Sequence, residues 1–283
     1  MTATAEPRQR AQESPFAAMV SYYATAAKQS VRVQFQYRAA NYFYMIGMVV
    51  EPVIYLVVWT TIAESQPSGS VEGFTAQTFA AYYIVWTLVR NMNIVFTPYG
   101  WEQRIREGEM SAALVRPIHP IHQDLAFFAG WKVVVIILWI PIAIVLSLAF
   151  RPELSPTVLQ CAVFFVAIWG AYLIRSLVLF ALGMVTFWTT RVNAIYEAYF
   201  IAELLLSGRL VPMELLPDWA QRLAWLFPFQ WTFGFPIMAL TGPITNRGLA
   251  VGLGMQLLWI GIGALLVRVV WRRAVRQYSA VGG

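Results

Sequence analysis

The sequence has little charge: only 12% of its 283 residues are Asp, Glu, Lys or Arg, while 59% are hydrophobic. Soluble domains carry roughly a quarter charged residues, so an ordinary water-soluble protein is excluded. It has one cysteine, Cys161, set in an apolar run. That rules out an internal disulfide framework and a multi-cysteine metal site, leaving a small packing residue. Its two histidines, His119 and His122, form an HxxH pair with no cysteine or arranged carboxylate beside it, a poor metal or catalytic set. No GxxxxGK[ST] phosphate loop occurs anywhere. Any work driven by nucleotide therefore needs another chain as motor. Residues 1–15, MTATAEPRQRAQESP, have no apolar core and are not a cleavable signal peptide; a disordered tail is expected there.

What is present is a series of apolar stretches of about 20 residues, each long enough to cross a hydrocarbon core of about 30 Å as a helix. Their continuity argues against a barrel, whose strands would alternate. The fold class is therefore an all-α polytopic membrane protein, with residues 16–283 forming one membrane domain. Six spans are expected at about 41–63, 77–97, 127–150, 158–188, 194–210 and 249–271. The fourth is too long for a simple crossing, so it is tilted, extended or broken near Gly183. Ahead of the first span, Phe16, Met19, Val20, Tyr23, Ala27, Val31 and Phe35 approximate one helical face, predicting an amphipathic interfacial helix over Phe16–Arg38.

The positive charges set the orientation. With both termini in the cytoplasm, cytoplasmic segments hold fourteen Lys and Arg, including Lys132, and external segments hold Arg151, Arg209, Arg222 and Arg247. The net charge of +6 then belongs to membrane topology and anionic headgroups, and no nucleic-acid partner is implied.

Two stretches stand out from the spans. Tyr99–Leu125, YGWEQRIREGEMSAALVRPIHPIHQDL, is an island of charge between long apolar runs. Met110, Ala113, Leu114 and Ile118 recur at roughly helical spacing, predicting a short amphipathic helix stopped by Pro117 and Pro120 on the cytoplasmic side. The other stretch, about 212–242, is too apolar to be a free loop and too rich in proline to be one spanning helix, with Pro212, Pro217, Pro228 and Pro236. Two short re-entrant helices are expected, the first starting at Leu216-Pro217-Asp218. Trp219, Leu223, Trp225, Leu226, Phe227, Phe229, Trp231 and Phe233 would lie at the outer interface.

Five ionisable groups fall inside the expected spans: Glu51, Arg90, Arg175, Glu197 and Glu203. Each costs about 2.5–3.5 kcal/mol at the bilayer centre on insertion scales and needs a partner. At 1.5 Å per residue, Glu51 and Arg90 both lie roughly 10–15 Å in and can pair. Arg175 and Glu203 share a depth on adjacent spans, while Glu197 lies nearer the cytoplasmic edge, within reach of Arg191 or a partner subunit. Such pairs serve either to fix helix register or to act in a transport pathway.

REGEMSAALVRPIHP, SGRLVPMELLPDWAQRLAWLFPFQW with the following FPIMALTG, and the terminal YSAVGG resemble the permeases of bacterial type-2 ATP-binding-cassette (ABC) exporters, of a branch that pairs with a second permease. The resemblance implies a coupling helix docked on an ATPase, placing Arg106, Glu107, Gly108, Glu109, Met110, Leu114, Arg116 and Pro117 at that contact. It implies two cytosolic ABC ATPase subunits that bind the ATP and Mg, no cofactor on this chain, a second permease that is a diverged paralogue or an identical copy, and contact with membrane lipids. The first and fifth spans would meet the second permease, with Tyr44, Trp59, Phe187, Tyr196 and Phe200 lining a central pathway. The expected location is the bacterial cytoplasmic (inner) membrane, and the expected cargo a hydrophobic or amphipathic drug, lipid or glycolipid moving outward. A membrane scaffold that only recruits partners is the alternative. A secondary transporter is disfavoured by the lack of inverted repeats and of midplane proton-relay groups.

Overall fold

A computed structural model describes residues 14–189 and 191–277. Of the expected tail, all but Ser14 and Pro15 lies outside the described residues, as does the terminal YSAVGG. Ser14 and Pro15 instead open helix α1 (Pro15–Gln36), where the Ser14 hydroxyl accepts the Ala17 N–H at 3.2 Å and proline takes the first position. α1 lies along α6 (Pro120–Phe150). Gly130 permits this approach, since a Cβ there would stand 2.5 Å from the Ala27 Cα.

After a break at Tyr37 comes α2 (Arg38–Ser65), which holds Pro52. A small hairpin follows, β1 (Ser70–Val71) paired with β2 (Phe74–Thr75), its turn residues Glu72 and Gly73 both at positive φ, 48° and 85°. It leads into α3 (Ala76–Met92), which is buried on nearly every face between α2, α6 and α11 (Gly234–Thr241). α7 (Val158–Gly183) is the other central helix, packed against α12 (Asn246–Ala274) and α11.

Among the described residues, three helical segments are long and apolar enough to cross a membrane by length and composition: 120–150, 158–187 and 246–274. α6 and α12 expose Ile137, Ile144, Leu148, Leu258, Leu265 and their neighbours, as lipid-facing helices do. α2 has 28 residues, with Glu51 the one charge in its apolar stretch, while α3 is shorter than the expected span, at 17 residues including Arg90. α8 (Asn193–Leu206) has 14 residues, about 21 Å at 1.5 Å per residue. It stops before Gly208, whose φ of +81° breaks the helix four residues short of the expected boundary.

Proline acts mainly as a helix opener. Pro120, expected to stop a helix, is the first residue of α6, where its missing N–H costs nothing, so that helix starts seven residues before the expected span. Pro212, Pro217 and Pro228 each stand directly before a short helix: a 3₁₀ turn at Met213–Leu215, α9 (Asp218–Leu226) and α10 (Phe229–Thr232). Pro236 sits in the first turn of α11. The stretch thus has four helical pieces where two were expected. Its aromatics also divide. Trp219, Trp225 and Phe227 are exposed, but Phe229, Trp231 and Phe233, expected at the interface, are buried because α10 and α11 fold into the bundle beside α7. At Gly252 on α12 any Cβ would collide with Phe235 on α11.

Candidate functional site

The polar stretch resolves into two helices and a turn. Thr97 caps α4 (Pro98–Arg106) and accepts the Gly100 N–H at 3.4 Å. Glu107 ends the helix, Gly108 takes φ +76°, and α5 (Met110–Leu114) follows. The expected single helix is interrupted because the chain reverses at Gly108, a conformation that other residues adopt only with strain.

This segment is rooted in the bundle. Trp101 is buried against Phe180 of α7 and Trp271 of α12, with ring centroids 5.8 and 6.4 Å away. α7 ends at Gly183 and passes into a 3₁₀ turn, Met184–Phe187. A Cβ at Gly183 would stand 2.8 Å from the Trp101 Cβ, so the break and the close approach occur together. The Arg104 guanidinium makes two bonds to Asp124 on α6 at 2.8 and 2.9 Å, and lies 4.0 Å from the Phe96 ring centre. Glu102 accepts the Val192 N–H at 3.1 Å, and the Tyr99 hydroxyl donates to Glu197 of α8 at 3.0 Å. Glu197 therefore meets Tyr99, rather than Arg191 as one of the expected partners.

Of the residues assigned to the ATPase contact, Arg106, Glu107, Glu109, Arg116 and Pro117 are exposed and Gly108 and Leu114 are half-buried. Met110 is buried in the cluster with Trp101, Ile121 and Tyr172, so it anchors α5 and presents nothing outward. Val115 was missed: at 85% exposed it is an apolar side chain at the tip of a charged surface. Its signal is its position one residue beyond the i, i+3, i+4 stripe of Met110, Ala113 and Leu114.

His119 caps α6 by accepting the Ile121 N–H on Nδ1 at 3.2 Å, with its ring 4.2 Å from that of Trp271. Burial, and then the neighbouring His122, push its pKa down from 6.5 to about 4. As pH falls the unfolded chain takes up the proton first, so this stability is full above 6.5 and is lost as pH falls toward 4. We expect the protection factor of the Ile121 amide to fall as pH drops from 6.5 to 4, a fall lost in His119→Asn, which keeps an acceptor that does not titrate. An unchanged protection factor across that range in the native chain would contradict the assignment.

The charges of α2, α3, α7 and α8 form one cluster. Arg90 on α3 meets Glu51 on α2 at 2.6 Å, and Arg175 on α7 meets Glu203 on α8 through two bonds of 2.7 and 2.8 Å. Arg209 lies between the pairs, 3.6 Å from Glu51 and 4.0 Å from Glu203. Its place after the fifth apolar run assigned it to the outside, but α8 ends early and the Gly208 turn brings the side chain back to its glutamates. Lys132, counted as cytoplasmic, is fully buried in α6 and donates to the Asn91 carbonyl at 3.2 Å and to that of Ile94. Arg175 also donates to the Asn93 carbonyl at 2.5 Å. Lys132 and Arg175 thus cap the carbonyl end of α3 as hydrogen-bond donors, immediately before the chain turns into α4.

Three of the five residues assigned to a pathway surround this cluster. The Tyr44 hydroxyl donates to Asn91 at 2.5 Å, the Phe200 ring lies 5.1 Å from the Arg209 guanidinium, and Tyr196 packs 6.5 Å from Phe200. Trp59 instead stacks on Phe79 at 5.3 Å near the hairpin, and Phe187 stands beside Trp271 at the other end of the bundle. The structure does not gather these two with the rest.

Residues 49–282 match the family model described as ABC-2 family transporter protein. No curated protein matches the chain.

Proposed function

The chain belongs to the ABC-2 family of transporter proteins, and from that membership we propose that it is the permease half of an ATP-driven exporter. In such a transporter the permease works with an ABC ATPase. Two ATPase subunits would bind the ATP and Mg, and a second permease, diverged or identical, would complete the membrane part. We place the protein in the bacterial cytoplasmic membrane with six crossings, both termini inside, and an amphipathic or hydrophobic molecule moving outward.

The observation that carries this reading is the exposed Glu107–Gly108–Glu109 turn with Val115 beside it, standing on helices rooted by buried Trp101 and Met110. An ATPase closing on that turn would push a segment fixed by Trp101 to α7 and α12. The α3–α4 junction, held by Lys132 and Arg175, would carry the displacement toward the membrane charges. α8 supports the assembly part of the reading, since it packs mainly on α9 and α10 and leaves Ile195, Ile201 and Leu205 exposed.

The test is charge reversal in the assembled complex. Glu107→Lys with Glu109→Lys should lower ATP turnover about tenfold and reverse its salt dependence, with the chain's thermal unfolding unchanged. Unaltered turnover by an intact complex would remove the turn from the contact.

A further inference from the structure

Arginine cannot be deprotonated in a protein. Arg90, Arg175 and Arg209 therefore bring three permanent positive charges to a cluster in which only Glu51 and Glu203 can be negative. Whatever the pH, at least one positive charge remains uncompensated. The nearest other carboxylates among the described residues are committed elsewhere: Glu197 accepts from Tyr99, and Glu102 and Asp124 bind Arg106 and Arg104. A bare charge at this depth is unfavourable by more than most single interactions contribute, so the fold retains a demand for an anion.

The surplus sits at one edge of the cluster. Arg175 and Arg209 are equally enclosed, at 10% and 11% exposed, but Arg175 is fully engaged, with both Glu203 oxygens and the Asn93 carbonyl. Arg209 approaches its glutamates only at 3.6 and 4.0 Å, beyond hydrogen-bond reach. Its Nε and that of Arg90 have no partner. Arg90 and Glu51 are 26% and 30% exposed, so the cluster opens on the α2–α3 flank. The helices that carry the cluster's charges also expose apolar side chains, with Val50 and Ile54 of α2 and Leu205 of α8 all about half exposed. α2 and α8 are not closely packed on each other, and the Phe200 ring backs Arg209. A positive charge inside an apolar wall complements a molecule with one anionic head and an apolar body.

We propose that this cluster binds a single oxyanion, phosphate or carboxylate, at the head of an amphiphile, and that anionic amphiphiles are the substrate class. The second part rests on the export reading. Glu51 then tunes the site, competing with the ligand for Arg90 and Arg209, while Arg175–Glu203 holds the helices that frame it.

The experiment uses the full chain in nanodiscs of zwitterionic lipid, with dodecyl phosphate, dodecyltrimethylammonium and inorganic phosphate titrated separately. Dodecyl phosphate should bind at least about tenfold more tightly than the ammonium of equal chain length, and inorganic phosphate should not compete. Arg209→Gln, which brings the cluster to neutrality, should abolish the preference, and Arg209→Lys should keep it. Glu51→Gln should strengthen it, a gain that mere misfolding does not produce. Equal affinity for the two amphiphiles, competition by inorganic phosphate, or the same loss in Arg209→Lys as in Arg209→Gln would overturn the proposal. So would binding to the isolated permease that vanishes in the assembled transporter, because a second permease would then supply the anion. None of these measurements reads ATP turnover, so failure here leaves the coupling turn standing, and failure of that turn leaves this binding standing.

Discussion

Glu203→Leu is expected to destabilise the protein by about 3–5 kcal/mol, the cost of leaving a buried arginine without its partner. Glu203 is fully buried and accepts two bonds from Arg175 and one from Tyr199 at 2.9 Å. Its removal strands a guanidinium between α7 and α8, and places Arg209 beside Glu51 alone. The loss should appear as a lower unfolding midpoint of the purified chain in detergent. Arg175→Met combined with Glu203→Leu should recover most of it, since replacing both members of a buried pair by apolar groups is often neutral. The pair contributes through the penalty for breaking it more than through the energy of making it. A single variant within about 0.5 kcal/mol of the native chain would show that water reaches Arg175 and that the site is not dry.

How much of this was legible in the sequence follows from which physical signals are local. Depth along a helix is local, so counting residues put Glu51 level with Arg90 and Arg175 level with Glu203, and those are the groups that stand in contact. Excess apolar length is local too. It left tilt, extension or a break near Gly183 open, and α7 gives way to a 3₁₀ turn at that glycine. The failures came where a chain reversal decides the outcome. Arg209 follows an apolar run and reads as external, but Gly208 at positive φ ends α8 early and turns the side chain inward. Pro120 is a helix breaker in a running helix and a helix opener at a first position, and the sequence around it does not distinguish the two. Burial is tertiary: Trp219 and Trp231 look alike in composition and spacing, yet only Trp231 falls beneath α7 and α12. For the same reason Met110 was placed on the contact surface although it is buried, and the exposed Val115 was passed over.

The geometry around the end of α3 connects the two sites. Lys132 from α6 and Arg175 from α7 both donate to its last carbonyls, and the segment 93–97 then turns the chain into α4. Arg175 is also the anchor of Glu203. One residue thus touches both the charge cluster and the segment that leads into α4, so displacement of that segment changes the hydrogen bonding of the cluster without a long chain of contacts. This is a two-state element in the physical sense only if α4 has an alternative docking, which makes the strength of its root decisive.

That root is Trp101, and Trp101→Ala is expected to cost about 3–5 kcal/mol as a large-to-small change in a packed core. The indole is 1% exposed, lies edge-on to Phe180 and Trp271, and presses on the only kind of residue at position 183 that admits it. Its Nε1 has no hydrogen-bond partner, so the loss is one of packing and not of a broken bond. Two readouts separate stability from coupling. Unfolding of the chain should shift to lower denaturant, and in the assembled transporter ATP turnover should persist while transport per ATP falls, because the motor still meets the Glu107–Glu109 turn but pushes on a loose segment. Trp101→Phe keeps most of the volume and the edge-on contact and should retain most of both. Transport per ATP unchanged in a folded Trp101→Ala variant would show that force reaches the membrane helices by another route, and α1 along α6 would be the next element to test.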